Sequence, residues 1–105
     1  MKYIIITTTC PDKETAQKIA KALVEKKLAA CVQMQNIESF YTWDNKFCSG
    51  KEVLCVIKTT AEKYNAVEAA IKSLHPYTCP QIIMLPIAGG SRDYLDWIKD
   101  SVDTK

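Results

Sequence analysis

Ala29-Ala30-Cys31-Val32-Gln33-Met34-Gln35-Asn36-Ile37-Glu38-Ser39-Phe40-Tyr41-Thr42-Trp43 is a run of fifteen residues with no Gly or Pro. As a straight strand it would reach about 50 Å. A compact chain of this size has a radius of gyration of about 13 Å and is therefore only about 34 Å across, so the strand either bends or leaves its own domain. Ala30, Val32 and Met34 place apolar groups at even positions, whereas Ile37, Tyr41 and Trp43 place them at odd ones. One extra residue moves every later side chain to the other face, so the pattern predicts a β-bulge near Gln35 and Asn36. The return run Val53-Leu54-Cys55-Val56-Ile57 is apolar on both parities, as in a strand covered on both faces. Between the two, Asp44-Asn45-Lys46-Phe47-Cys48-Ser49-Gly50 reads as a loop.

Upstream, residues 3–8 are largely β-branched and predict a short buried strand. Pro11-Asp12 opens a helix with Asp12 as its N-cap, Glu14 in the first turn and Lys26-Lys27 at the far end, where charge complements the helix dipole. Ala16, Ile19, Ala20, Leu23 and Val24 form its apolar stripe. Downstream, Thr60 is the expected cap of a second helix carrying Tyr64, Val67, Ile71 and Leu74, which His75-Pro76 ends. Pro80 bounds a fourth strand over residues 81–85, and Ser91 caps a last helix with Tyr94, Leu95 and Ile98 on its stripe and Trp97 beside it. The order strand, helix, strand, strand, helix, strand, helix predicts an α+β fold: a ferredoxin-like split βαβ pair with an antiparallel sheet and a C-terminal helix, one domain over residues 1–105. In that plan the overlong second strand is an edge, with neither proline nor a charge cluster to guard it. A second copy of the chain is the simplest cover.

Composition narrows the functions. Hydrophobic residues make up 48% of the chain and charged ones 25%, which excludes a disordered or low-complexity protein. The formal charge of +2, carried by lysines scattered among Asp and Glu, predicts no nucleic-acid partner. Val53-Leu54-Cys55-Val56 also lacks the aromatic platform of RNA-binding versions of the fold. No segment is long and apolar enough for a membrane span or a signal-peptide core, so the expected address is cytoplasmic. Five cysteines without a C-x-x-C pair indicate neither a disulfide framework nor a closed zinc site, and Cys48 in the loop is the expected reactive thiol. The sole arginine, Arg92, stands beside a helix cap and no nucleophile has a base nearby in sequence, so no enzymatic activity is expected.

Several short motifs then occur in one order along almost the whole chain. They are Thr9-Cys10-Pro11-Asp12, Lys27-Leu28-Ala29-Ala30-Cys31-Val32, Tyr41-x-Trp43, Glu52, Leu54, Lys58-Thr59, His75-Pro76-Tyr77, Pro80, Leu85-Pro86 and Tyr94-Leu95-x-Trp97. Together they resemble the CutA divalent-cation tolerance family. The resemblance implies a very stable cytosolic homotrimer, similar in architecture to the PII signalling proteins, whose long hairpins pair between subunits. It also implies copper or another divalent cation as the metal to consider, through three positions that are Thr8, Leu74 and His75 here. Thr is a poor copper ligand and Leu is none, which leaves His75 alone. Cys10 lies two residues from position 8, about 6.6 Å along a strand.

His75, the only histidine, suits either the last carbonyls of its helix or a ligand. Lys58 continues an apolar strand and needs either an anionic partner or a path to water. Glu52 shares its parity but lies about 20 Å away along the strand, so the two could meet only across a subunit boundary. Phe40, Tyr41 and Trp43 are expected mainly as interface core. The function expected is thus a non-enzymatic homotrimer of divalent-cation tolerance. Its inter-subunit clefts, lined by Trp43, Glu52, Lys58, His75 and Tyr77, would take a small anionic or metal-bearing effector. The alternative is a trimeric scaffold or signalling protein with no metal role.

Overall fold

A computed structural model of the chain describes residues 2–103. Met1, Thr104 and Lys105, included in the expected single-domain span, lie outside the described residues. The elements are β1 (Tyr3–Cys10), α1 (Lys13–Glu25), β2 (Cys31–Trp43), β3 (Lys46–Thr60), a 3-10 turn (Ala61–Lys63), α2 (Tyr64–Leu74), β4 (Ile83–Pro86) and α3 (Arg92–Val102). The strands form one antiparallel sheet in the order β2-β3-β1-β4, so the ferredoxin-like plan holds, with β1 and β3 central.

The core lies between this sheet and the first two helices. Even residues of β1 (Ile4, Ile6, Thr8, Cys10) and odd residues of β3 (Val53, Cys55, Ile57, Thr59) are buried on one face. Ala16, Ile19 and Leu23 of α1 and Val67 and Ile71 of α2 complete the layer. Burying each Ile, Leu or Val of this layer stabilises the fold by roughly 1.5–3 kcal/mol. α3 takes the other face of the sheet, where Tyr94 meets the even-numbered Lys58 of β3.

The local signals behave as chemistry requires. Asp12 caps α1 by accepting from the Thr15 amide at 2.8 Å, and Ser91 caps α3 by accepting from the Tyr94 amide at 3.3 Å. α1 ends in a Schellman arrangement. Leu28 N–H donates to the Leu23 carbonyl at 2.9 Å and Lys27 N–H to that of Val24 at 3.1 Å, with Lys27 in the left-handed region at φ 57°. His75, extended at ψ 133° ahead of Pro76, ends α2. Thr60 is not the cap of α2: it precedes the intervening 3-10 turn and makes no side-chain cap bond, and α2 starts four residues later. Of the helix stripes, Val24 and Leu74, each in the last turn of its helix, and Tyr94 of α3 are exposed. β4 is shorter than expected and shifted, and it includes Pro86, which an edge strand tolerates because one side of its backbone needs no partner.

The ribbon of β2 and β3 differs most from expectation. There is no bulge: pairing runs unbroken from Cys31 opposite Lys58 to Trp43 opposite Lys46. The expected loop over residues 44–50 is instead a two-residue turn, Asp44 and Asn45, both left-handed at φ 57° and 61°. Asp and Asn tolerate that conformation, and it matches the twist of a hairpin. Lys46, Phe47, Cys48, Ser49 and Gly50 therefore belong to β3. The parity change was misleading because the outer ribbon is exposed on both faces, so no single buried face selects apolar residues there. The chain measures 46 × 25 × 21 Å, and the ribbon lies clear of the core, as the strand length required.

Candidate functional site

Because β2 and β3 pair in register, Glu52 lies opposite Ile37 and shares a ribbon face with Ser39, Tyr41 and Trp43. Phe40 belongs to the opposite face, where its ring stacks on that of Phe47 with centroids 6.3 Å apart. The aromatic residues that the sequence groups together are thus divided between two surfaces.

The segment after α2 closes over the Glu52 face. The Tyr77 hydroxyl donates to Glu52 Oε2 at 2.9 Å, and burial, helped by this carboxylate, pushes the phenol above its ordinary range. Tyr77 therefore remains a neutral donor. His75 holds the segment in place. Its Nδ1 accepts from the Tyr77 amide at 3.2 Å, so Nε2 carries the hydrogen that it donates to the Thr9 carbonyl at 2.7 Å. The rings of His75 and Tyr77 lie 4.7 Å apart. A groove of about 620 Å³ results, walled by Tyr41, Trp43, Glu52 and Tyr77, with Phe40, Pro76, Cys79 and Gln81 at its margin. Among the described residues that line it, Glu52 is the one charged side chain.

Of the five residues expected in a common cleft, Trp43, Glu52 and Tyr77 line this groove and His75 lies behind Tyr77. Lys58 lies elsewhere. It is six residues along β3 from Glu52, where its Nζ approaches the Tyr94 hydroxyl at 3.3 Å and stands 5.3 Å from the ring centroid. Among the described residues it has no carboxylate partner, and it lies within β3, not at its end; the Tyr94 ring shelters it, and Trp97 stacks on Tyr94.

The three positions tied to copper by resemblance do not form a ligand set. Thr8 is fully buried and its Oγ1 has no hydrogen-bond partner among the described residues. Leu74 is an exposed hydrocarbon, and both ring nitrogens of His75 are engaged. Among the described residues no three His, Cys, Asp or Glu side chains converge on a metal-sized space. Cys10 and Cys55 pack together in the core, where hydrogen bonding between the thiols lowers Cys55 and raises Cys10. Cys48 is half-buried, with its thiol donating to the Lys46 carbonyl at 3.6 Å, and Cys79 is the exposed thiol. The sequence does not reveal Tyr94 as the partner of Lys58, nor Gln81, whose amide donates to Thr7 Oγ1 at 3.1 Å, because these pairs lie 36 and 74 residues apart.

Residues 4–101 match the model of the CutA1 divalent ion tolerance protein family. The chain belongs to that family. The CutA relationship is visible in both sequence and fold. The divalent-cation tolerance protein CutA of Thermus thermophilus is 43% identical over 98 residues, covering 92% of this chain and 95% of that protein. A solved structure described as the periplasmic divalent cation tolerance protein CutA of Archaeoglobus fulgidus is similar with a TM-score of 0.94 and 42% identity, covering 96% of this chain and 99% of that one. The chloroplastic CutA protein of Arabidopsis thaliana is 40% identical over 99 residues, covering 93% of this chain and 54% of the plant protein. CutA names are not names of enzymes, and among the described residues no helix is long and apolar enough to cross a membrane.

Proposed function

We propose that this CutA-family chain is a non-enzymatic homotrimer that acts in divalent-cation tolerance and binds an effector in grooves completed between subunits. The observation that carries the reading is the ribbon. Its outer half stands beyond the core, β2 is a bare edge, and Phe40, Trp43 and Phe47 are 68%, 57% and 75% exposed. Such a surface is costly to leave in water and invites strand or face pairing with another copy. Three copies arranged as in PII-like proteins would cover the Phe40 and Phe47 face and leave the Glu52 groove at a subunit boundary.

Copper or another divalent cation is the metal such a protein would answer to. The described residues offer no complete ligand set, so direct binding would need donors from a neighbouring subunit. We place the protein in the cytoplasm because its five cysteines are all free, which suits a reducing compartment.

Sedimentation equilibrium combined with elemental analysis tests the reading. A mass of three chains, lowered by Phe40→Ser with Phe47→Ser, is expected. A single-copy mass at micromolar concentration overturns it.

A further inference from the structure

We infer that the groove between the ribbon and Tyr77 is a binding site for a small organic ammonium cation. The inference takes the groove of the proposed function as its site and names the chemistry of the ligand. Among the described residues its walls combine the aromatic side chains of Tyr41, Trp43 and Tyr77 with one carboxylate, Glu52, and no cationic side chain. Aromatic faces carry negative potential and attract a cation that sheds water easily, above all a substituted ammonium. A carboxylate at the edge supplies the counter-charge. At about 620 Å³ the groove has room for an organic molecule.

The same composition disfavours other ligands. Among the described residues that line the groove, a phosphate or carboxylate would meet Glu52 without a compensating Lys, Arg or His. A hard divalent ion needs about six oxygen donors, whereas the groove has one carboxylate and scattered hydroxyls. The carboxylate is also preset. Tyr77 holds Oε2 at 2.9 Å, and Tyr77 is itself fixed through His75 to Thr9, so the Glu52 side chain is held in place before a ligand arrives. His75 in this arrangement is a positioning residue.

The test is a titration of the full chain carrying Trp97→Phe, so that Trp43 is the only indole, with tetramethylammonium chloride at constant ionic strength. A saturable change in Trp43 fluorescence is expected, with no such change for the neutral tert-butyl alcohol. Glu52→Gln, which keeps size and the Tyr77 hydrogen bond, should weaken binding about fivefold or more, as loss of an ion pair of about 1 kcal/mol does. Saturation by zinc chloride or sodium phosphate in place of tetramethylammonium overturns the inference, as does ammonium binding that Glu52→Gln leaves unchanged. Sedimentation of the same samples separates this result from the assembly. Single-copy protein that still binds tetramethylammonium in a Glu52-dependent way refutes the trimer and supports the site; a trimer that ignores tetramethylammonium does the reverse.

Discussion

His75 and Thr9, 66 residues apart, are joined by a 2.7 Å hydrogen bond from imidazole Nε2 to a backbone carbonyl. Both residues are 8% exposed, so a lost partner is not replaced by bulk water. His75→Ala should destabilise the chain by about 1–3 kcal/mol, the cost of leaving a buried polar group unmade. Urea denaturation with and without a chelator should give the same loss. A loss that disappears in chelator would instead put a metal on the imidazole.

Asp12 caps α1, and the backbone hydrogen bond from Thr15 holds its carboxyl below the ordinary value of 3.8. A depressed folded value means that the ionised group's contribution is complete above the ordinary value and is lost as pH falls through the lowered one. Asp12→Asn, which retains an acceptor but no charge, should be less stable than the parent at pH 6. The difference should close progressively below pH 3.8, as read from thermal midpoints across pH.

Lys27 occupies the left-handed position that ends α1, where a side chain is strained and Gly is not. Lys27→Gly should raise stability by up to about 1 kcal/mol in denaturant titrations, with α1 unchanged in length by circular dichroism. Destabilisation would mean that the lysine side chain makes a contribution larger than the strain it bears.

The ribbon turn depends on two residues at positive φ, Asp44 and Asn45. Asn45→Gly should be tolerated, whereas Asn45→Val should cost about 1–2 kcal/mol locally because of its branched Cβ. Amide hydrogen exchange at Trp43 and Lys46 should accelerate in the valine variant and remain slow in the glycine one.

Thiol labelling should separate three classes. Cys79 is exposed, Cys31 and Cys48 are half-buried, and Cys10 and Cys55 are buried. One thiol should therefore react first with an aromatic disulfide reagent, two more slowly, and the core pair only on unfolding. Fast modification of Cys10 in native protein would show that the sheet opens at that end.

The sequence pattern predicted the structure where one buried face imposes a period. Ala16, Ile19 and Leu23 on α1, and Val67 and Ile71 on α2, repeat at helical spacing because they pack on the sheet, and Asp12 and Ser91 announce helix starts through local hydrogen bonds. It failed at the outer ribbon. Tyr41 and Trp43 sit on a surface that the core does not cover, so their parity reported a groove and not a shift in register. The turn was hidden because Asp44-Asn45 is a weaker hairpin signal than Asn-Gly.

By itself the sequence determined the element order, the excess length of one edge strand and the family, since each follows from local periodicity, caps and short motifs read along the chain. Only the tertiary structure decided which side chains share a site. It put Glu52 against Tyr77, sent Lys58 to Tyr94, and tied both nitrogens of His75 into the backbone. These partners are separated in sequence by up to 66 residues, and strand register and helix packing, which no local pattern encodes, bring them within hydrogen-bond reach.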